Sequence, residues 1–211
     1  MRYIGPARLA LLAAAMGLCA FLGRPSPVLG ASFTLDATYD AVDASPGDGV
    51  CADAGGACTL RAAVMETNAL PGADEISLPA GTYVLSIPGS GEDASATGDL
   101  DVSDVAITGD SANATKIDAS GLNDRVFHIP FDATIRISGL TIQNGGTLAC
   151  CFFGGGIFNA GDMTASDLAI VANEATSGGA VWNEGALDIE TSVISDNRAT
   201  SFGVESLTPR G

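Results

Sequence analysis

From Ile76 onward the chain runs in short stretches where apolar and polar residues alternate, separated by Gly, Asn, Asp and Ser. "EISL", "TYVLSI", "LDVSDVAITG", "TKIDAS", "RVFHI", "TIRISGLTIQN", "MTASDLAIVAN" and "LDIETSVISDN" are rich in β-branched residues with period-two character, so each predicts a strand. No gap between them holds a helical pattern long enough for a βαβ crossover. A repeat then selects the architecture. Gly155, Ile157, Phe158, Asn159 and Gly161 return 24 residues later as Gly179, Val181, Trp182, Asn183 and Gly185. At the same offset Met163 maps onto Leu187, Ile170 onto Ile194 and Asn173 onto Asn197. Ile135, Leu140 and Ile142 precede Met163, Leu168 and Ile170 by 28 residues, as the same coil with an insertion around "TLACCFF" would.

One 24-residue unit holds three short strands and three turns, which is one circuit of a parallel β-helix. Stacked circuits place like side chain above like, so the apolar pairs form walls. Gly155 and Gly179 sit where the backbone must turn sharply, often through positive φ, which Gly adopts freely and Asn tolerates. The pairs Asn159/Asn183 and Asn173/Asn197 are positioned for amide ladders. A β-sandwich or propeller is the competing fold. It would need hairpin signals, and apart from Asn144-Gly145 these are nearly absent. Residues 76–203 thus predict about five coils.

The column needs covers. "TLRAAVMETNAL" (59–70) predicts a helix capped by Thr59 and ended by Pro71, with Leu60, Ala63, Val64, Thr67 and Leu70 on one stripe. It reads as an N-terminal lid in an entry segment, 31–75. At the other end Gly203 keeps register, after which the pattern lapses over an irregular tail, 204–211. A truncated or frame-shifted chain and a last coil abutting a partner both remain open.

The first thirty residues carry Arg2 and Arg8, an apolar run from Leu9 to Gly23, and Val28 and Gly30 before Ala31. This predicts a secretory signal cleaved before Ala31, not an anchor, since the run is short for a span. No later segment reads as transmembrane. Cleavage removes three of the 9 basic residues and none of the 25 acids, leaving six cations and a net charge near −19. Such a surface repels nucleic acid and anionic lipid, so both are poor partners and no nucleic-acid binding is expected. In an exported chain, Cys51 and Cys58 predict a disulfide closing "CADAGGAC", while the state of Cys150 and Cys151 stays open.

Two stretches resemble known families. "DAVDASPGDGVCADAGGACTLRAAVMETNAL" followed by "ADEISLPAGTYVLSI" resembles the CSLREA-domain proteins, exported bacterial β-helices with a Cys-Ser/Thr-Leu-Arg-Glu/Ala-Ala motif. The chain departs at Ala62, where that family often has Glu, so the reciprocal capping contact to Thr59 is lost. "IVANEATSGGAV" (170–181) resembles the repeats of polymorphic outer-membrane proteins, which more often carry Phe where this chain has Ile170. Both resemblances imply a right-handed parallel β-helix at or beyond the cell surface. Neither implies a known reaction. Members are usually longer and carry C-terminal anchors.

Candidate chemistry is sparse. His128 stands between Phe127 and Ile129, so it faces out of a strand whose neighbours face in, and no catalytic partner is evident. There is no nucleophile elbow, phosphate loop or paired zinc motif. A polysaccharide lyase or glycoside hydrolase would need carboxylates flanking one bond, or acids beside a basic residue. Lys116 and Asp118, which flank Ile117, and Arg136, between Ile135 and Ile137, point outward on nearby coils; Asp99 and Asp101 share one strand face. The plainer reading of all five is a solvated, charge-paired outer surface. Calcium is the one cofactor considered, at the crowded Asp36, Asp40, Asp43 and Asp48, although neither EF-hand spacing nor a Gly-Gly-x-Gly-x-Asp repeat is present. The sequence thus reads as a secreted or surface β-helix, adhesive or structural and non-catalytic, with a polysaccharide or protein ligand.

Overall fold

The computed structural model describes residues 30–146 and 152–202. The leader read from the sequence, Cys150, Cys151 and residues 204–211 lie outside the described residues. The chain enters through β1 (Ser32–Thr34) and α1 (Leu60–Ala69). A first coil follows, with β2 (Asp74–Leu78), β3 (Gly81–Val84) and β4 (Leu100–Asp101). The second holds β5 (Val105–Gly109), β6 (Thr115–Asp118) and β7 (Phe127–Ile129); the third holds β8 (Thr134–Gln143) and β9 (Ile157–Asn159). The fourth holds β10 (Asp162–Val171), β11 (Glu174–Ser177) and β12 (Val181–Asn183), and the last β13 (Ala186–Glu190), β14 (Val193–Ser195) and β15 (Arg198–Phe202). Every strand pairing among the described residues is parallel. The result is a β-solenoid of about four full turns, with the fifth coil incomplete within the described residues, in keeping with the right-handed parallel β-helix.

The register explains both the repeat and its loss toward the N-terminus. Ile76 pairs with Ile107, Ile107 with Ile137, Ile137 with Ala165 and Ala165 with Ile189. Each step along this column is shorter than the one before it, because the upper coils carry extra loop. Only the last step equals the period read from the sequence. Inside, Ile107, Ile117, Phe127, Ile135, Leu140, Ile142, Ile157 and Ile170 are all wholly buried. Each contributes about 1.5–3 kcal/mol relative to exposure, against the entropy of ordering it.

Three strands per coil holds only in part, because β8 and β10 run through their first corner unbroken. In β8 the buried apolar side chains are Ile135, Ile137, Leu140 and Ile142, so the alternation skips a residue at the bend. Gly139, at φ 66°, absorbs that skip, and a Cβ there would stand 2.6 Å from the Gly109 carbonyl oxygen. Asp167 and Thr191 repeat the left-handed turn in the next two coils (φ 51° and 46°).

The asparagine ladders form as expected, but the turn geometry differs. Asn173 Oδ1 accepts from Gly145 N (2.8 Å), and its Nδ2 donates to Ile142 O (3.1 Å) and Asn197 Oδ1 (3.0 Å). Asn197 repeats the pattern toward Ile170 O (2.8 Å), and Asn159 Nδ2 donates to Asn183 Oδ1 (2.6 Å). None of these asparagines has positive φ. That conformation falls on the residues ahead of the inner ladder, Asn144, Ala172 and Asp196 (φ 61°, 56° and 58°). Likewise Gly154 and Gly178 are left-handed, not Gly155 and Gly179. Gly155 is required by close approach instead: a Cβ would lie 2.5 Å from the carbonyl oxygens of Glu174 and Gly179.

The lid is built as the sequence indicates, with more polar bonding than its apolar stripe suggests. The Thr59 hydroxyl accepts from Ala62 N at 3.1 Å, and Leu60, Ala63, Val64 and Thr67 are buried. The Cys51–Cys58 disulfide closes the adjoining loop. Arg61 is also wholly buried. Its Nε donates to Asp40 Oδ1 (2.7 Å), Nη1 to Ser95 O (2.8 Å) and Nη2 to Gly98 O (2.9 Å). Asp40 Oδ2 in turn accepts from Ser86 N and Ile87 N (2.7 and 2.8 Å), so one ion pair joins entry segment, helix and first coil.

Candidate functional site

The strands β4, β7, β9 and β12 stack as one sheet, in register. Their inward positions, Leu100, Phe127 and Ile157, are wholly buried. Alternation therefore turns the next residue of each strand outward. Register aligns Asp101 with His128, His128 with Phe158, and Phe158 with Trp182. One vertical column thus runs from carboxylate through imidazole to two aromatic rings. His128 Nδ1 lies 2.6 Å from Asp101 Oδ1, and its ring meets Phe158 edge-on at 5.3 Å between centroids. Phe153 packs beside Trp182 at 4.8 Å, and Trp182 Nε1 donates to Glu184 Oε1 (2.9 Å).

Around the upper end of this column the acids converge. Asp101 is only 4% exposed because the loop preceding β4 folds over it. Ser95 Oγ accepts from Asp101 N and donates to Asp101 O, while Asn68 Nδ2 donates to the same carbonyl (2.6 Å). Arg125 Nε stands 3.1 Å from Asp99 Oδ2 and 3.7 Å from Asp124 Oδ1. The guanidinium lies over the rings of Phe152 (4.8 Å) and Phe158 (5.2 Å), which ties the ion cluster to the aromatic end.

Crowding of like charge shows in the protonation equilibria. Burial, reinforced by the neighbouring Asp124 and Asp101 charges, pushes Asp99 up to about 7, against the pull of Arg125 and His128. Burial also raises Asp124, despite Arg125. The hydrogen bond to Asp101 raises His128 above its ordinary value, with burial opposing. Among the described residues, the one grouping of three metal-ligating side chains with ligand atoms within 4.8 Å of one another is Asp93, Asp101 and His128.

The sequence candidates separate sharply. Asp101 lies on β4 and Asp99 just ahead of it, near enough for their charges to interact, but the open, solvated surface expected for them is corrected: both are buried. Lys116 and Asp118 do flank buried Ile117 on β6, aligned with Thr141 and Gln143. Arg136 is exposed on β8, aligned with Ala106 and Thr164 on the far side of the Gly139 bend, so these three share no face. Asp118 accepts from Gln143 Nε2 (2.9 Å), Asn144 Nδ2 (3.0 Å) and Ser120 N (3.0 Å). Burial would raise its pKa, but those bonds outweigh it and hold it below the ordinary value.

The four aspartates considered for calcium are not gathered around a common point. Asp36 accepts from Cys58 N (2.8 Å), Asp40 holds Arg61, Asp43 accepts from Ser45 N and Ala52 N (2.7 and 3.0 Å), and Asp48 accepts from Val50 N (2.8 Å). They shape the entry loop. A concavity between residues 36–39 and 55–57 contains none of the clustered groups.

Asp93, Asp124, Arg125 and Phe158 were missed as partners of His128 and Asp101. His128 follows Asp101 at one interval, Phe158 follows His128 at a longer one and Trp182 follows Phe158 at a shorter one, so no fixed period aligns them. The fold and its face define a parallel β-solenoid with a polar-to-aromatic column on one sheet. The chain matches no family model, no curated protein and no solved structure.

Proposed function

We propose that this chain is a secreted or cell-surface β-helix binding module that holds an oligosaccharide along the β4–β7–β9–β12 face without cleaving it. The observation that carries the reading is the Asp101–His128–Phe158–Trp182 column, on strands rigidly spaced about 4.8 Å apart. Sugars present apolar C–H faces and a rim of hydroxyls. An aromatic end suits the faces, and the partly exposed imidazole of His128 suits the hydroxyls. A rigid sheet also pre-organises the groups, so little entropy is lost on binding.

Export is supported by the leader and by the Cys51–Cys58 disulfide, a bond that persists in oxidising compartments. The likeness to CSLREA-domain and polymorphic outer-membrane proteins supports a surface location. Among the described residues no helix is long and apolar enough to cross a membrane. The non-catalytic reading is favoured because Asp99 and Asp101 are both buried, out of reach of a glycosidic bond lying along the face.

The test is a glycan panel probed with the secreted protein. Trp182→Ala is expected to weaken binding at least tenfold with unchanged thermal stability. Equal binding by Trp182→Ala would defeat the assignment of this face, and release of reducing ends would replace binding with cleavage.

A further inference from the structure

We propose that Asp93, Asp101 and His128 bind a divalent cation of the zinc type where the loop before β4 meets β4 and β7. One ligand atom from each side chain already lies within 4.8 Å of the others. Ligands of a tetrahedral zinc stand roughly 3.4 Å apart for bonds near 2.1 Å, so rotation of exposed Asp93 on its loop closes the set. The other two ligands sit on adjacent strands of one sheet and are held in place.

A second observation points to a ligand independently of this clustering. Asp101 is 4% exposed, and its Oδ2 is buried with no hydrogen-bond partner among the described residues. Its Oδ1 is taken by His128, and its backbone is fixed on both sides by Ser95 and Asn68. A buried, unpartnered carboxylate oxygen is costly, and the side chain is not free to swing out to water. A cation at this point would satisfy Oδ2 and join the Asp93 loop to the column.

The donor set selects the metal. Two carboxylates and an imidazole match zinc, whereas calcium and magnesium favour all-oxygen shells. The nearby guanidinium of Arg125 is turned to Asp99 and Asp124. On binding, the proton shared by His128 Nδ1 and Asp101 Oδ1 leaves to solvent. Three protein ligands leave a fourth position open to water or to a ligand oxygen above Phe158. The site does not depend on what the aromatic end of the face binds.

Chelator-stripped full chain is titrated with zinc by calorimetry, and thermal melts are recorded with and without the metal. One equivalent per chain is expected, with a rise in melting temperature that EDTA reverses. Asp93→Asn, at an exposed loop position, and His128→Gln are each expected to weaken zinc at least tenfold, while metal-free Asp93→Asn melts like the parent. Absence of zinc-dependent heat, zinc binding indifferent to both substitutions, or calcium held more tightly than zinc would each overturn the site.

Discussion

The upper and lower halves of this solenoid solve the same stacking problem differently. Below, Ala165 meets Ile189 after one bare repeat, Gly178 and Gly179 lead straight into β12, and like residues lie over like. Above, the longer steps from Ile76 to Ile107 and from Ile107 to Ile137 include loop that folds back over β4 and β7. The economical coils hold asparagine ladders and glycine corners. The longer ones bury Asp99, Asp101 and Asp124 and make a charged cluster. Minimal circuits stack like residues, rings included, over one another; buried charge enters where a coil carries residues the circuit does not need.

That contrast is open to attack, first at its largest expected effect. Asp40→Asn leaves Arg61 buried without its counter-charge, and about 3–5 kcal/mol should be lost. Denaturant melts should show the loss, and a melt within about 1 kcal/mol of the parent would deny the clamp its role in the upper half. In the lower half, Gly155→Ala drives a Cβ against two backbone carbonyls, with about 1–3 kcal/mol expected. Asn173→Ala removes three side-chain bonds inside the stack, for a loss of similar size, about 1–3 kcal/mol, also read by denaturant melts. If Asn173→Ala were neutral, the ladder would be ornament and the regularity would rest on apolar stacking alone.

The smallest effect is a pH dependence. Asp118 has a folded pKa below its unfolded one, so its stabilisation is present above the unfolded value and is lost as pH falls through the lowered value. Asp118→Asn should lower stability slightly in the neutral region and flatten the acid limb of a stability–pH curve, so that variant and parent converge at low pH. A parallel shift of the whole curve would contradict this.

The lower coils were readable from residues because identical spacing reports identical geometry: Phe158 over Trp182 and Asn159 over Asn183 follow from one offset. The lid was readable too, since Thr59 and Pro71 bracket an apolar helical stripe. Left-handed φ at Ala172 and Asp196 was not, because nothing in those residue types demands it. The His128–Asp101 contact was hidden for a different reason. Its two residues belong to coils whose loops differ in length, so the alignment exists only after the chain has wound.

What the sequence determined by itself was the winding: alternation defines strands, and a short recurrent offset makes them stack in parallel. What only the tertiary structure decided was which outward residues meet. Period two says that Asp101, His128, Phe158 and Trp182 all leave the core, but not that they leave it one above another. That depends on how much chain each loop consumes between strands, and loop length carries no periodic signal. Burial of Asp101 followed the same logic, since a loop settling over a strand is a long-range event that neither segment's pattern records.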